Sequence, residues 1–189
     1  DGRLVLSPEP QPRLQEAGGP ASPYGTCSVD LALAPVLLVP KQNLAMSVDF
    51  RHGSVPETLA AISERHTMDE RGFLLRPHVF VLGQTVETVG LPLSVDFRDE
   101  AKGRRGLAAR VEGKSSRARF GLLIHFTAPT IHAGWSGPIT PEMINLGPAP
   151  IQLYPGMPVA QLLLEETVGD PQERRSQFHD QETPSGLRG

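Results

Sequence analysis

Short apolar runs separated by glycine and proline place the strongest constraint on how this chain folds. Between residues 114 and 166 the sequence reads KSSRARFGLLIHFTAPTIHAGWSGPITPEMINLGPAPIQLYPGMPVAQLLLEE. This pattern is typical of short strands joined by tight turns, and it disfavours long helices. The whole chain of 189 residues contains 19 glycines and 19 prolines, with few aromatic side chains. We therefore predict a mainly β fold with few short helices.

The chain is long enough for one domain with a sizeable core. We assign residues 1–168 to a single β domain, with a charged insertion at about 94–105. Residues 169–189 are polar and are predicted to form a flexible C-terminal tail. Strands are predicted at Gly2–Pro8, within Cys27–Pro40 and twice within Gly72–Val89, and a short helix is predicted to begin at Pro56.

Composition disfavours several classes of protein. The single cysteine, Cys27, allows no intramolecular disulfide and no cysteine-rich zinc site, which fits a reducing cytoplasmic compartment. Apolar runs fall well short of the ~20 residues of a membrane helix, so we expect no membrane association. The net charge of −3 argues against a general nucleic-acid coat, and we expect no nucleic-acid partner.

A hydroxyl-rich cationic segment opens the central stretch. It consists of Lys114, Ser115, Ser116, Arg117, Ala118 and Arg119. Serine hydroxyls and a planar guanidinium are groups that bind phosphate oxygens. A solvated basic turn has the same composition, and the glycine spacing of a Walker loop is absent. The segment therefore predicts an anion-binding loop only when it is combined with other features.

Glu142 is the candidate for acid–base chemistry. Strand alternation places Thr140, Glu142 and Ile144 on one face, while Ile139, Pro141 and Met143 take the other. A carboxylate on such a face lies either at an exposed edge or inside a site. An enclosed glutamate can take and return a proton near neutral pH, which is the requirement for a general base.

Three further sequence features bear on function. Trp135 could stack on a flat ligand, although packing in the core is the more common role of a lone tryptophan. Asp30, within the alternating Ser28–Leu33 segment, is predicted to bind backbone amides at a strand end. Zinc-dependent deamination is not supported, because the His-x-Glu and Pro-Cys-x-x-Cys elements of zinc deaminases are absent from the sequence.

Several motifs taken together resemble the dCTP deaminase family of the dUTPase-like superfamily. They are EGKSSRAR, IHAGWSG, the Pro141-Glu142 pair and YPGMPVAQL, within a similarity that runs from about Gly72 to Glu166. The resemblance implies a dUTPase-like jelly-roll or β-barrel fold that assembles as a homotrimer, with active sites between subunits. It implies hydrolytic deamination of dCTP to dUTP and ammonia, with Mg²⁺ carried by the triphosphate and no zinc.

The resemblance also implies roles for individual residues. Glu142 matches the catalytic glutamate, and Ser115 and Arg119 match residues that handle phosphate and water. The backbone at Thr140 and Pro141 matches the segment that reads the base. The substrate-binding positions implied are Lys114, Ser115, Ser116, Arg117, Ala118, Arg119, His132, Thr140, Pro141 and Gln181. Gln181 roughly matches a tail residue that closes over the nucleotide, which makes the tail a candidate lid.

Four departures from the family pattern keep other functions open. His132 stands where an aspartate is common, and Pro141 replaces a leucine. Gln177-Phe178 replaces a Lys-Tyr pair, and the charged run after Asp96 is inserted. The leading hypothesis is a dCTP deaminase; the alternatives are a dUTPase or bifunctional deaminase–dUTPase, and a non-catalytic nucleotide-binding homologue.

Overall fold

The computed structural model describes residues 4–51, 53–93, 105–169, 172 and 176–186. Its strands are β1 (Val5–Ser7), β2 (Ser28–Ala32), β3 (Val36–Pro40), β4 (Ser63–Thr67), β5 (Phe73–Leu75), β6 (Phe80–Leu82), β7 (Thr88–Gly90), β8 (Arg105–Gly113), β9 (Leu122–Leu123), β10 (Thr130–Ile131), β11 (Ser136–Pro138), β12 (Glu142–Asn145), β13 (Ile151–Leu153) and β14 (Pro158–Val168). Its helices are α1 (Val55–Ile62) and α2 (Ser115–Ala118). The predicted mainly β fold with few short helices is confirmed.

The strands form antiparallel sheets, of which two are large. One has the order β10-β8-β14-β2, and the other has the order β4-β3-β6-β12-β9. Smaller sheets have the orders β1-β7-β11 and β13-β5. The long strand β14 is central to the first sheet, because it pairs with β2 on one side and along the whole length of β8 on the other.

A single hydrophobic core joins the two large sheets. Leu31 and Leu162 come from the first sheet, Val81 and Met143 come from the second, and all four are fully buried in one cluster. Each fully buried side chain of this kind contributes roughly 1.5–3 kcal/mol relative to exposure. Buried and partly exposed residues alternate in β2 and β12, whereas β8 buries the consecutive residues Leu107, Ala108 and Ala109.

The predicted elements lie close to their expected places, with two differences. The segment Gly72–Val89 holds β5 and β6 and also the start of a third strand, β7. The extra strand arises because the chain after Gly83 pairs with the Ile139–Pro141 segment before it crosses to another sheet. Strand β4 was not predicted, since its sequence SERHT is exposed and polar beyond its first residue and lacks an apolar face.

Helix α1 begins as the sequence predicts. The Ser54 hydroxyl caps it by accepting from the Glu57 amide at 3.3 Å, and Pro56 stands in the first turn, where its missing N–H costs nothing. The charged insertion predicted at about 94–105 lies outside the described residues, except for Arg105, which begins β8. Within the part of the chain that is described, no helix is both long and apolar enough to cross a membrane.

Glu87 is a buried carboxyl group, only 5% exposed. Its Oε2 accepts a hydrogen bond from the Ala32 amide at 2.9 Å, and its carbonyl accepts from the Thr85 hydroxyl at 2.7 Å. Burial raises the pKa of the Glu87 carboxyl above its usual value of 4.5, although the Ala32 bond acts in the opposite direction. The folded protein therefore keeps this proton to higher pH than the unfolded chain does.

We expect Glu87→Gln to remove a pH dependence of stability. With a raised pKa in the folded state, the stabilising contribution of the protonated carboxyl is complete below the unfolded pKa and declines as pH rises through the folded pKa. Wild type should therefore lose unfolding free energy relative to Glu87→Gln as pH rises through that window. Denaturant titrations across this pH range measure the difference, with exposed Glu64→Gln as the control. Parallel stability curves for wild type and Glu87→Gln would contradict the assignment.

Candidate active site

A cavity of about 920 Å³ opens where the ends of several strands meet α1 and the C-terminal tail. Its volume lies in the range of natural small-molecule sites. Five of the residues predicted from the sequence line it, namely His132, Thr140, Pro141, Glu142 and Gln181. The structure therefore brings together residues from the loop after β10, the start of β12 and the tail.

Glu142 is the first residue of β12 and is half-buried. Its backbone amide donates to the Ile124 carbonyl at 2.9 Å, and its Oε2 accepts from the Phe126 amide at 3.2 Å. The predicted alternation is confirmed, because the neighbouring Met143 is fully buried on the opposite face. One carboxylate oxygen is thus held by the backbone, while the side chain faces the cavity with acceptor capacity remaining.

The backbone of Thr140 faces away from the neighbouring strand segment. The carbonyls of the two flanking residues bind that segment. The Thr85 amide donates to the Ile139 carbonyl at 2.8 Å, and the Gly83 amide donates to the Pro141 carbonyl at 2.9 Å. Successive peptide groups of an extended chain alternate in direction. Within the described part of the chain the Thr140 N–H and C=O make no hydrogen bond, so this donor–acceptor pair is available to a ligand.

The described part of the tail packs over the same cavity. Gln181 is 5% exposed, and its Nε2 donates to the Pro138 carbonyl at 2.8 Å and to the Thr140 hydroxyl at 3.0 Å. The Asp180 amide donates to the Ser136 carbonyl at 2.9 Å. Asp180 and Gln181 therefore pack against β11 and its following segment.

We expect Gln181→Ala to loosen the tail. The substitution removes two hydrogen bonds from a buried amide, and each such bond contributes about 1 kcal/mol. Proteolytic cleavage within residues 176–186 should become at least roughly fivefold faster, since 1 kcal/mol changes an opening equilibrium by about that factor. Limited proteolysis followed by mass spectrometry measures the rate, with exposed Gln177→Ala as the matched control. Equal cleavage rates for both variants would show that these bonds do not hold the tail.

Three residues of the cavity, His125, Phe178 and His179, were not predicted, and Trp135 was predicted to lie in the core rather than in a site. All four line the cavity, and the rings of Trp135 and His179 meet edge-on with centroids 6.2 Å apart. Trp135 also packs against the core, so the core role that the sequence favoured and a cavity role coexist. No local pattern indicates a site role for His125. It follows Ile124, whose carbonyl accepts a hydrogen bond from the Glu142 amide, and this pairing is visible only in the fold.

The cationic segment does not reach this cavity within one chain. Its four inner residues, Ser115–Ala118, form α2, and none of residues 114–119 lines the cavity. Ser115, Ser116 and Arg119 are exposed to solvent. The predicted anion-binding loop and the predicted carboxylate are therefore built on neighbouring parts of the fold but are not joined in one pocket of the single chain.

Lys114 makes an ion pair with Asp30 instead of pointing freely into solvent. The Asp30 carboxylate also accepts a hydrogen bond from Gln161 Nε2 at 3.3 Å. The prediction that this carboxylate binds backbone amides is therefore wrong, because its partners are side chains from β14 and from the residue before α2. Sequence spacing does not reveal such a pair, since 84 positions separate the two charges.

The described residues form no cluster that could hold a metal ion. Among them, no group of three His, Cys, Asp or Glu side chains converges on one point. The three histidines of the cavity, His125, His132 and His179, are separated enough that they do not form such a group. The donors presented to the cavity are therefore a carboxylate, peptide groups and imidazoles that do not converge on one point.

Comparison with known proteins identifies relatives over almost the whole chain. The sequence profile of dCTP deaminase-like proteins matches residues 11–167. A protein of Dictyoglomus thermophilum named dCTP deaminase, dUMP-forming, is 34% identical over 195 aligned positions, covering 100% of this chain and 88% of the relative. A dCTP deaminase of Halorubrum lacusprofundi is 33% identical, covering 84% of this chain and 83% of the relative.

One solved structure is similar in fold. It is the crystal structure of 2'-deoxycytidine 5'-triphosphate deaminase from Agrobacterium tumefaciens, with a TM-score of 0.56 and 19% sequence identity. The alignment covers 75% of this chain, and this chain spans 38% of the length of that one. At this level of identity the likeness supports the β architecture and leaves function to the site itself.

Proposed function

This chain belongs to the dCTP deaminase-like family, and from this premise we propose that it deaminates dCTP, releasing ammonia and forming dUTP. The observation that carries the proposal is the placement of Glu142. Its carboxylate is held by the Phe126 amide at the wall of a nucleotide-sized cavity, beside the unbonded peptide groups of Thr140. This arrangement places a proton-transferring carboxylate beside peptide groups that can bind the edge of a base. Deamination of a pyrimidine needs both.

Glu142 acts as the general base in the proposed mechanism. It takes a proton from water as the water oxygen bonds to C4 of the cytosine, and it returns that proton to N3. The tetrahedral intermediate then loses its amino group, with a second proton passing from the C4 hydroxyl to the departing nitrogen, so that ammonia and a uracil carbonyl are formed. One positioned carboxylate can carry out both transfers, and such catalysis contributes roughly 10²- to 10⁴-fold.

Thr140 reads the edge of the base in this proposal. Its free N–H is a donor and its free C=O is an acceptor, both directed away from the segment that binds Ile139 and Pro141. Cytosine presents an amino donor next to ring acceptors, so the two patterns are complementary. Backbone groups on a paired segment lose little entropy on binding, and they therefore discriminate without rearrangement.

Ser115 and Arg119 complete the site from another subunit. Because α2 lies outside the cavity of its own chain, an assembly with sites between subunits would bring these exposed groups to the triphosphate and the attacking water. Exposed apolar side chains near α2, namely Phe120 at 73% and Leu146 at 55%, favour a protein-covered surface here.

We propose a homotrimer, and sedimentation equilibrium should give three times the mass of one chain. A monomer with full turnover would refute the shared site.

Magnesium enters this proposal with the nucleotide. Mg²⁺ requires oxygen ligands and keeps several waters, and the triphosphate supplies such oxygens. The hydroxyls and cations of residues 114–119 suit phosphate and not a metal ion, which fits a magnesium ion carried by the substrate and no zinc. The expected result is turnover that needs added Mg²⁺ and survives a zinc-selective chelator; loss of activity restored only by zinc would overturn this part.

A second candidate function is cleavage of the triphosphate after deamination. The Dictyoglomus relative is named dUMP-forming, and such a product requires loss of pyrophosphate as well as ammonia. His132 lines the cavity here and is exposed, in the position where the resemblance places an aspartate. We rank pyrophosphate release second because dUTPases of this superfamily orient the attacking water with an aspartate at this position. This chain has an imidazole there instead.

A nucleotide panel scored separately for ammonia and pyrophosphate tests both functions. Incubation with dCTP and Mg²⁺ should release ammonia at a rate far above that of Glu142→Gln, and dUTP should release pyrophosphate more slowly than dCTP releases ammonia. Pyrophosphate release from dUTP at a rate that rivals deamination would reverse the ranking. Tight nucleotide binding in calorimetry with neither product would point to a non-catalytic binding protein.

A further inference from the structure

We propose that Asp30 is a positioning residue for the Ser115–Arg119 segment and that it acts through its ion pair with Lys114. Lys114 is then an anchor of α2 and not a phosphate ligand, although the sequence predicted it to bind substrate. The inference rests on the proposed function, since α2 matters for turnover only if Ser115 and Arg119 handle the substrate. The ion pair itself is a property of the fold and can be tested separately.

Lys114 is held both through its backbone and through its side chain. Its carbonyl accepts from the Arg117 amide at 2.8 Å and from the Ala118 amide at 2.9 Å, so its backbone starts the helix. Its side chain caps no helical amide and instead extends to Asp30, where the ammonium meets Oδ2. The Lys114 and Asp30 side chains are each 19% exposed. A partly buried pair of this kind is less screened by solvent than a surface pair is.

Asp30 is a rigid attachment point because it lies in the middle of β2. Gln161 is its direct neighbour on β14 in the strand register, and the Gln161 amide donates to Asp30 Oδ1 at 3.3 Å. The Asp30 backbone amide donates to the Pro23 carbonyl at 2.8 Å. Each carboxylate oxygen thus has its own partner. The orientation of the group is set by Gln161 on β14 and by Lys114 after β8, while β2 itself is the outer strand of this sheet.

Helix α2 needs such an attachment because it is only four residues long. A single helical turn is unstable by itself, since nucleation fixes several backbone angles for each hydrogen bond gained. Its C-terminal end is held by the Leu146 amide, which donates to the Gly121 carbonyl at 2.8 Å. The Lys114–Asp30 pair holds the other end. Ser115 and Arg119 are four positions apart and share one side of this turn, so its two ends set where both groups point.

The pairing also changes what Lys114 can do. An ammonium that already contacts a carboxylate has its charge compensated, and a second anion would have to displace Asp30 or bind beside it. The two roles predict opposite effects of removing the carboxylate. If Lys114 binds phosphate, Asp30→Asn frees the ammonium and nucleotide affinity rises; if Lys114 anchors α2, affinity does not rise and turnover falls.

The test uses three substitutions in the full chain. Asp30→Asn keeps the shape of the side chain, Lys114→Met keeps the length of the lysine without its charge, and Lys114→Arg keeps the charge. Turnover of dCTP is measured in each, nucleotide affinity is measured by calorimetry in a Glu142→Gln background, and amide hydrogen exchange is followed over residues 114–121. Asp49→Asn is the matched control, because Asp49 also follows Ser-Val but pairs with Arg51 on the surface.

We expect Asp30→Asn and Lys114→Met to lower kcat roughly 10- to 100-fold, the size of effect that a displacement of about 1 Å has on a catalytic group. Dissociation constants should rise because Arg119 is misplaced, but by less than the roughly 10- to 100-fold expected for loss of its guanidinium. Exchange over residues 114–121 should accelerate in both variants, and Lys114→Arg should retain most of the wild-type turnover. Asp49→Asn should leave all three measurements unchanged.

Two results would overturn the proposal. The first is unchanged hydrogen exchange over residues 114–121 in both Asp30→Asn and Lys114→Met, whatever happens to turnover. The second is weaker nucleotide binding in Lys114→Met together with tighter binding in Asp30→Asn, which would assign Lys114 to phosphate. If wild type releases no ammonia from dCTP, the proposed function fails instead, and the exchange measurement still decides whether this pair holds α2.

Discussion

Glu142→Gln should reduce ammonia release from dCTP by about 10²- to 10⁴-fold, the contribution of a positioned general base. Glutamine cannot take the proton from water, but its side-chain oxygen can still accept from the Phe126 amide, which binds the carboxylate at 3.2 Å in the structure. The substitution therefore removes the chemistry with little change to the cavity wall. Steady-state ammonia release, measured with a coupled enzyme assay, gives the ratio directly.

A matched control separates loss of the base from a general loss of negative charge. Glu165 is an exposed carboxylate on β14, near Arg110, and it does not line the cavity. Glu165→Gln should leave turnover within about twofold of wild type, in line with the small effects of most surface changes. Glu142→Gln should also bind dCTP with close to wild-type affinity. Turnover in Glu142→Gln that matches the control would remove Glu142 from the mechanism.

Arg119→Ala should weaken binding of the triphosphate about 10- to 100-fold, since loss of a charge-assisted contact costs roughly 1.5–3 kcal/mol. The side chain is exposed at the end of α2, so the unfolding free energy should change by less than about 0.5 kcal/mol. Arg119→Lys should recover only part of the affinity, because an ammonium cannot reproduce the two-point grip of a guanidinium. Isothermal calorimetry with dCTP and Mg²⁺ in a Glu142→Gln background measures binding without turnover.

Arg65→Ala is the control for this change. Arg65 is an exposed arginine on β4 and lies outside the cavity lining, so its loss should not alter nucleotide affinity. Binding should also depend on salt in wild type and less so in Arg119→Ala, since surface electrostatic contacts are screened. Equal affinities in wild type and Arg119→Ala would show that this guanidinium does not contact the triphosphate.

Local patterns predicted those parts of the fold and site that depend on near neighbours in the chain. Alternation placed Glu142 opposite the buried Met143, and the structure confirms it. The start of α1 followed from Pro56, since a proline is tolerated in the first turn of a helix, where its missing N–H has no helical partner. Strand β7 was missed because it depends on pairing with residues near Pro138, about fifty positions further along the chain.

The sequence by itself determined the fold class, the family and the types of residue that the site offers, because periodicity and motif spacing are properties of short segments. Only the tertiary structure decided their partners. It placed Gln181 against Thr140, paired Lys114 with Asp30 and left Arg119 outside the cavity of its own chain. Such contacts depend on which strands lie side by side. Strand order is set by burial of the whole core, and no local pattern encodes it.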